Sequence, residues 1–441
     1  MAKGVDAEGP GADVPMNAFA IAIVLLCCII NVTDGLDFAA LVQAAPVISR
    51  AWAVTPEMLG TLFAVTAIGM AVGAFVVAPQ ADRFGRRNIL LLGLGLNGAA
   101  AMLSAFVGSV NELLVLRFLT GIGVGSLLAN LNVLVIEYSN RKWGNFFLSI
   151  MHLCYSLGVV AASQVGFWFV ADHGWEILFL VSGLFNLAVL ASVFLWLPES
   201  MQFLLSAQPP HALERVNRLR RRLGHPPLAA LPAAAGAGRA RVRIADLVGP
   251  GMIAGSALLW LTALSYSIVS YYHLSWTPKV LDDAGLPIRL ALLAGTFTSI
   301  ASIFGNLSMG YFSASVGAIR LTTIYFAGAA AAFLLFGLNA NSPYAMLMIA
   351  PIVSFFAQGA FSGMMINATR YYPPAMRSSG VGFVVGFGRF GAIAGPLMGG
   401  IALGAGSGLL LLYVALALIA AVAGVSIFLV GRLRDPARVP A

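Results

Sequence analysis

Runs of twenty or more apolar residues, broken by short polar turns, recur along nearly the whole chain. Twelve can be marked, at about 17–41, 57–80, 88–108, 112–137, 144–170, 175–197, 250–275, 288–313, 319–339, 343–369, 376–400 and 405–431. A hydrocarbon layer about 30 Å thick is crossed by roughly 20 residues of helix, so each run is long enough to span a bilayer. Hydrocarbon offers the backbone no hydrogen-bond partners, so each span must satisfy its own peptide groups, which predicts an all-α membrane protein of twelve transmembrane helices. The 48 glycines suit close helix packing better than they suit strands.

The pattern is interrupted at length only once, at 198–249. There Pro209-Pro210, Pro226-Pro227, an Ala/Gly-rich patch and eight arginines between Arg215 and Arg243 separate six spans from six. The predicted organisation is a cytoplasmic leader at 1–16, a six-helix half at 17–197, a basic cytoplasmic linker at 198–249, a second six-helix half at 250–431 and a cytoplasmic tail at 432–441. Within the linker, Arg215–Arg222 is expected to form a surface helix on the inner leaflet and the Ala/Gly-rich remainder to be flexible.

Composition supports the same class, with 60% hydrophobic residues, 10% charged residues and a mean hydropathy of +0.91. A formal charge of +8 would suit a nucleic-acid partner, but the placement of the charge argues otherwise. With the N-terminus inside, twenty of the 25 Lys and Arg fall on the cytoplasmic side, only Arg50, Lys279 and Arg289 fall outside, and Arg117 and Arg389 lie within spans. That asymmetry is the positive-inside rule; it reports topology, with both termini cytoplasmic, and the linker arginines also suit contact with anionic membrane lipid. The first apolar run is too long for a cleavable signal and follows a polar leader with one lysine, so it is expected to stay as the first helix. Cys27, Cys28 and Cys154 fall inside spans at spacings that match neither a metal site nor a disulfide framework, and read as packing residues. No redox, hydrolytic or metal constellation and no phosphate-binding loop of the P-loop type is legible, so the expectation is no enzyme activity, no cofactor and no nucleotide-driven transport.

Against this apolar background the sequence Asn31-Val32-Thr33-Asp34-Gly35-Leu36-Asp37 stands out. A carboxylate near the centre of a spanning helix costs roughly 2.5 to 3.5 kcal/mol, so two of them ask for a compensating role in ion or proton handling. Spaced i and i+3, they share one helix face with Asn31. The alternative is that the span ends early and both acids lie in the headgroup region.

The loop after the second span reads Asp82-Arg83-Phe84-Gly85-Arg86-Arg87, which resembles the signature of the major facilitator superfamily. The resemblance implies a 6+6 fold in which the loop recurs after the eighth helix. Here that copy, Gly310-Tyr311-Phe312-Ser313-Ala314-Ser315-Val316-Gly317, has Ala314 and Ser315 in place of the charged pair, and Ala78 in the first copy replaces a usual glycine. Pro198-Glu199-Ser200 ends the sixth helix as is common in the superfamily, followed by Met201-Gln202 where Pro-Arg is usual. The Asp34/Asp37 motif and the segment Gly386-Phe387-Gly388-Arg389-Phe390-Gly391-Ala392-Ile393-Ala394-Gly395-Pro396 are similar to the aromatic acid:proton symporters, permeases for benzoate and hydroxybenzoates. The fifth helix reads Gly158-Val159-Val160-Ala161-Ala162-Ser163-Gln164, without the Gly-Pro-rich motif expected of a drug/proton antiporter.

Carboxylate symport needs a cation for the substrate, a titratable acid for the proton and an apolar pocket for the rest. Arg389 is the leading substrate cation, because its planar fork receives a carboxylate bidentately at any physiological pH; the alternative is an internal pair with Asp34, Asp37 or a backbone carbonyl. Aligning the halves through Arg141 and Arg377 puts His152 within one residue of the position of Arg389, making it a second candidate for substrate binding beside the plainer reading of a packed, hydrogen-bonded histidine. His273 lies at the outer end of the seventh helix among neighbours that an interfacial aromatic belt would supply, which weighs against a substrate role there. Arg117 resembles the superfamily's helix-four arginine associated with proton coupling, and its nearest acids by depth are Asp34 and Asp37. Asp82, Arg83, Arg86 and Arg87 are assigned to gating, with Glu137 as an inner gate or partner of the Asp82/Arg86 cluster.

The sequence therefore reads as a monomeric, proton-coupled importer of a small organic anion, most simply an aromatic carboxylate, in the inner membrane. Import of a non-aromatic carboxylate, efflux of a drug or metabolite, and more remotely a non-transporting sensor or membrane enzyme are the competing readings.

Overall fold

The computed structural model describes residues 16–140, 142–232, 249, 251–373 and 376–433. The leader up to residue 15, Arg141, the arginines of the linker beyond 232 and the tail from 434 lie outside the described residues.

Among those residues every regular element is helical. The first six long helices are α1 (Ala18–Ala51), α2 (Pro56–Phe84), α3 (Arg86–Leu103), α4 (Val110–Tyr138), α5 (Gly144–His173) and α6 (Glu176–Trp196). Two short helices follow, α7 (Met201–Ala207) and α8 (Ala212–Arg222). The chain continues as α9 (Ile253–Asp283), α10 (Ile288–Val316), α11 (Ala318–Leu338), α12 (Pro343–Tyr371), α13 (Arg377–Gly404) and α14 (Leu409–Leu433).

Eleven described helices are long and apolar enough to cross a membrane. The remaining predicted span, at 88–108, is the 18-residue α3 prolonged by a 3₁₀ turn at Ser104–Phe106. It is the most polar of the twelve because it opens on Arg86 and Arg87 and buries Asn97, whose amide donates to Asn186 Oδ1 on α6 at 3.2 Å. Gly85, at φ +95°, makes the sharp turn between α2 and α3 that a side chain would strain.

Two helices outrun their apolar patterns. The first apolar run fades at Leu41, yet α1 continues to Ala51 through Pro46. The polar residue that breaks the pattern, Gln43, is satisfied inside the protein: its Nε2 donates to Ser163 Oγ at 2.6 Å and to the Leu292 carbonyl at 3.1 Å. In the same way α9 runs past residue 275, through Pro278, to Asp283. A helix end rich in polar residues is stable when those residues find partners, which hydropathy alone does not register.

The described chain forms two compact units. One takes in the chain up to Phe38, Ile68–Gly158 and the segment from Phe179 through α8; the other takes in Ala39–Ala67, Val159–Leu178 and α9 to α14. In the first, Cys27, Leu90, Leu131, Leu134, Met151 and Val193 form a core that extends to Leu204, Val216 and Leu219 of α7 and α8. In the second, Leu259, Tyr266, Met309, Phe326, Met364 and Ile427 form another. Large apolar side chains also face outward, among them Phe75, Leu195, Trp196 and Leu411, each about two-thirds exposed. A water-soluble protein rarely presents so many; facing acyl chains they cost nothing, and the molecule is a multi-pass membrane protein.

Candidate functional site

α1 reaches α5 closely enough to exclude side chains at the crossing. A Cβ on Gly35 would collide with the Tyr155 carbonyl oxygen, and one on Gly158 with the Val32 carbonyl oxygen. Asn31 Nδ2 donates to the Met151 carbonyl at 2.7 Å one turn away. This contact fixes the face of α1 that carries both acids. Asp34 and Asp37 are buried within the protein, and α1 continues past them to Ala51.

Asp37 meets Arg117 from the first turns of α4. Asp37 Oδ1 accepts from Arg117 Nη1 at 3.2 Å, Arg117 Nη2 donates to Ser104 Oγ at 2.8 Å, and the guanidinium carbon lies 4.7 Å from the centre of the Phe179 ring. The two side chains are 1% and 0% exposed. Together they are close to neutral, which is how a low-dielectric interior tolerates either charge; removing one partner leaves the other uncompensated, at a cost of roughly 3 to 5 kcal/mol.

A second network joins α3, α4 and the α6–α7 turn. Arg86 is buried, and its Nη1 donates to Glu137 Oε1 at 2.6 Å and to Ser200 Oγ, while Nη2 donates to Gln202 Oε1 at 3.2 Å. Ser200 Oγ also bonds Glu137. Glu199 Oε1 accepts the backbone N–H groups of Arg87 and Ser200 at 3.1 and 2.9 Å, and Arg87 Nη2 donates to the Phe194 carbonyl at 2.6 Å. Asp82 stands at the edge, 86% exposed and 3.8 Å from Arg86, and Arg83 is exposed over the Phe84 ring. The structure thus centres this cluster on the Arg86–Glu137 pair, with Asp82 peripheral. Gln202 takes up Arg86 at a position where the sequence departs from the superfamily ending.

In the unit built on α9 to α14, α13 packs on α9 through glycines. A Cβ on Gly391 or Gly395 would strike the carbonyl oxygen of Leu264 or Ile268. Arg389 stands off that stripe, partly buried, and its guanidinium has no hydrogen bond or ion pair to another described residue. At about 100° per residue Phe387 points to nearly the opposite side of α13 from Arg389. There it stacks on Trp260, with ring centroids 4.7 Å apart and planes 3° from parallel. The Trp260–Phe387 stack therefore belongs to helix packing and does not wall the space in front of Arg389. Two further rings of this unit are engaged in packing or hydrogen bonding: Phe355 stacks on Tyr325, and the Tyr266 hydroxyl donates to Gln358 Oε1 at 3.3 Å.

His152 is exposed on α5 and makes no hydrogen bond with another described residue. It is therefore not the packed, bonded histidine of the plainer reading. His273, by contrast, is 4% exposed; Nε2 lies 3.0 Å from Ser354 Oγ, and Phe333 and Phe336 flank the ring. It is a packed core residue.

The same unit contains contacts that sequence reasoning missed. Arg50, in the last turn of α1, forms an ion pair with Asp282 in the last turn of α9. Arg289 at the start of α10 pairs with Asp172 at the end of α5 at 3.2 Å, and Gln164 Nε2 donates to Thr296 Oγ1 at 3.0 Å. With Gln43, Ser163 and the Leu292 carbonyl these form a polar seam tying α1 and α5 to α9 and α10. Among the described residues no group of His, Cys, Asp or Glu is arranged to hold a metal ion.

Comparison with known proteins agrees with this architecture. The family model of the Major Facilitator Superfamily matches residues 27–349. The chain is 27% identical over 439 residues to the 4-hydroxybenzoate transporter PcaK of Acinetobacter baylyi, covering 97% of this chain and 94% of that one. It is 31% identical over 428 residues to a gallate transporter of Pseudomonas putida, covering 95% and 94%. Among solved structures, the inward-open xylose transporter XylE from E. coli superposes with a TM-score of 0.72 at 17% identity, over 92% of this chain and 95% of that one, a likeness of fold.

Proposed function

The chain belongs to the major facilitator superfamily, a family of transporters and not of enzymes, and on that premise we propose that it imports a small aromatic carboxylate together with protons. The observation that carries the carboxylate is Arg389, a partly buried guanidinium within a membrane helix that has no partner among the described residues. A charge held in such a place is expensive unless it meets an opposite charge, and an anionic substrate supplies one. The aromatic character rests on the relatives, which are named for hydroxybenzoate and gallate.

Proton coupling falls to Asp37 with Arg117, and to Asp34 one turn earlier on the same face of α1. In this reading the proton reaches one of these carboxylates, loosens the Asp37–Arg117 contact and so couples protonation to movement of α1 against α4. The Arg50–Asp282 and Arg289–Asp172 pairs close the periplasmic ends of the helices, and the Arg86–Glu137–Ser200 network, with Asp82, Arg83 and Arg87 around it, works at the cytoplasmic ends. His152 lines the substrate path. The orientation rests on the lysine and arginine bias, which puts both termini in the cytoplasm and the protein in the inner membrane, acting as a monomer.

The test is uptake of radiolabelled 4-hydroxybenzoate and benzoate into proteoliposomes with an imposed pH gradient, acid outside. Accumulation above equilibrium that collapses with a protonophore is expected. Downhill uptake unaffected by the gradient would remove the coupling, and absence of uptake of either acid would remove the substrate class.

A further inference from the structure

Beside the Arg86–Glu137 network lies a cavity of about 260 Å³, of whose lining arginines the transport reading uses only Arg87. Four arginines line it: Arg87 from α3, and Arg215, Arg218 and Arg222 from α8. The three on α8 are spaced i, i+3 and i+7 and therefore share one face, next to Leu219, which also lines the cavity and is buried in the core. The single acid in the wall, Glu199, is already engaged by the backbone N–H groups of Arg87 and Ser200. Arg215 and Arg218 are exposed and have no side-chain hydrogen bond or ion pair with another described residue. Arginines outside the cavity on the same helix are occupied locally: Arg220 Nε donates to the Pro226 carbonyl and Arg221 Nε to the Asn217 carbonyl. Like charges gathered on one cavity face without counter-ions repel one another, and an anion relieves that repulsion.

The cavity also sits where a membrane span ends. Leu197 and Pro198, directly after α6, form part of its wall, and the three residues before them, Phe194, Leu195 and Trp196, are 62%, 70% and 69% exposed. Arg87 links the two environments. It lines the cavity while its guanidinium lies 5.6 Å from the Phe194 ring centre. A volume just below the roughly 300 Å³ of the smallest ordinary ligand pockets suits a headgroup better than a large metabolite.

We propose that this cavity binds the phosphate of an anionic phospholipid, held by Arg87, Arg215, Arg218 and Arg222, with its acyl chains running along Phe194, Leu195 and Trp196. The phosphate oxygens accept from several guanidinium groups at once, which a zwitterionic lipid, carrying its own cation, offsets. The site is independent of the transported substrate.

The experiment titrates the purified full-length protein in detergent with fluorescent phosphatidylglycerol and, separately, fluorescent phosphatidylcholine. R215Q/R218Q is compared with R220Q/R221Q, which removes the same charge from the same helix outside the cavity; R218Q alone serves if the double variant does not purify. Saturable binding of phosphatidylglycerol is expected, stronger than that of phosphatidylcholine, about tenfold weaker in R215Q/R218Q and within about twofold of the parent in R220Q/R221Q, since each arginine near an anionic lipid contributes severalfold to affinity. Inorganic phosphate at millimolar concentration is expected not to displace the lipid. Equal weakening in the two double variants would show diffuse charge attraction, and equal affinity for both lipids would show no headgroup recognition. Displacement by inorganic phosphate would show a soluble-anion site; each of these overturns the proposal.

Discussion

Asp37 and Arg117 face each other at 3.2 Å with no access to solvent, one from α1 and the other from α4. Eighty residues separate them in sequence. A charge buried in hydrocarbon is tolerable when an opposite charge meets it, so the contact ties α1 to α4.

Asp37→Asn is therefore expected to lower the thermal midpoint and to abolish accumulation driven by a pH gradient, because it strands the Arg117 charge at a cost of roughly 3 to 5 kcal/mol. The double variant D37N/R117Q is expected to recover much of the midpoint and none of the accumulation. Asp34→Asn is expected to lose accumulation too. Melting curves and gradient-driven uptake separate the two effects; accumulation like the parent's in both aspartate variants would remove the proton role.

The Arg86 network gives a graded prediction. Glu137→Gln strands a buried guanidinium and is expected to slow turnover more than tenfold, whereas Asp82→Asn, at an exposed position 3.8 Å from Arg86, is expected to slow it severalfold. In both, equilibrium substrate affinity is expected to change little, because the cluster acts on conformational exchange. Turnover measured beside equilibrium binding checks this, and a large affinity loss in D82N at unchanged turnover would place Asp82 at the substrate instead.

At the ends of α1 and α9, Asp282→Asn breaks the ion pair with Arg50 and is expected to loosen the polar seam beneath it. Gln43 is 1% exposed within that seam. In a Q43C background, labelling by a membrane-impermeant thiol reagent is expected to be slow with Asp282 intact and several times faster with D282N. The native cysteines, all buried, supply the low background. Unchanged labelling would mean that the Arg50–Asp282 pair does not hold those ends closed.

Much of this was legible in the sequence because the bilayer leaves few options. Spans, their helical nature and the cost of Asp34, Asp37, Arg117 and Arg389 follow from transfer energetics alone, and matching depths along two helices brings Asp37 toward Arg117. Glu137 was linked to Arg86 for the same reason, both lying where spans end on one side. The Arg50–Asp282 pair left no trace, because its partners are 232 residues apart and charged residues at helix ends are ordinary. Gln43 and Pro46 looked like the end of α1 when they lie inside it, since hydropathy counts a polar side chain and not its partner. The stacking of Phe387 on Trp260, away from Arg389, was not legible either, because a single sequence does not give the rotation of each helix.

The most direct test of the account is a binding titration of 4-hydroxybenzoate and its neutral amide, 4-hydroxybenzamide, against the parent, R389K and R389A. If Arg389 receives the carboxylate, the parent binds the acid well and the amide weakly. R389A is then expected to lose about 100-fold or more for the acid, as charge-assisted hydrogen bonds of roughly 1.5 to 3 kcal/mol each disappear, and little for the amide. R389K falls between, keeping the charge and losing the fork. Equal losses for acid and amide in R389A would contradict the account and show that Arg389 holds helices together without reading the carboxylate.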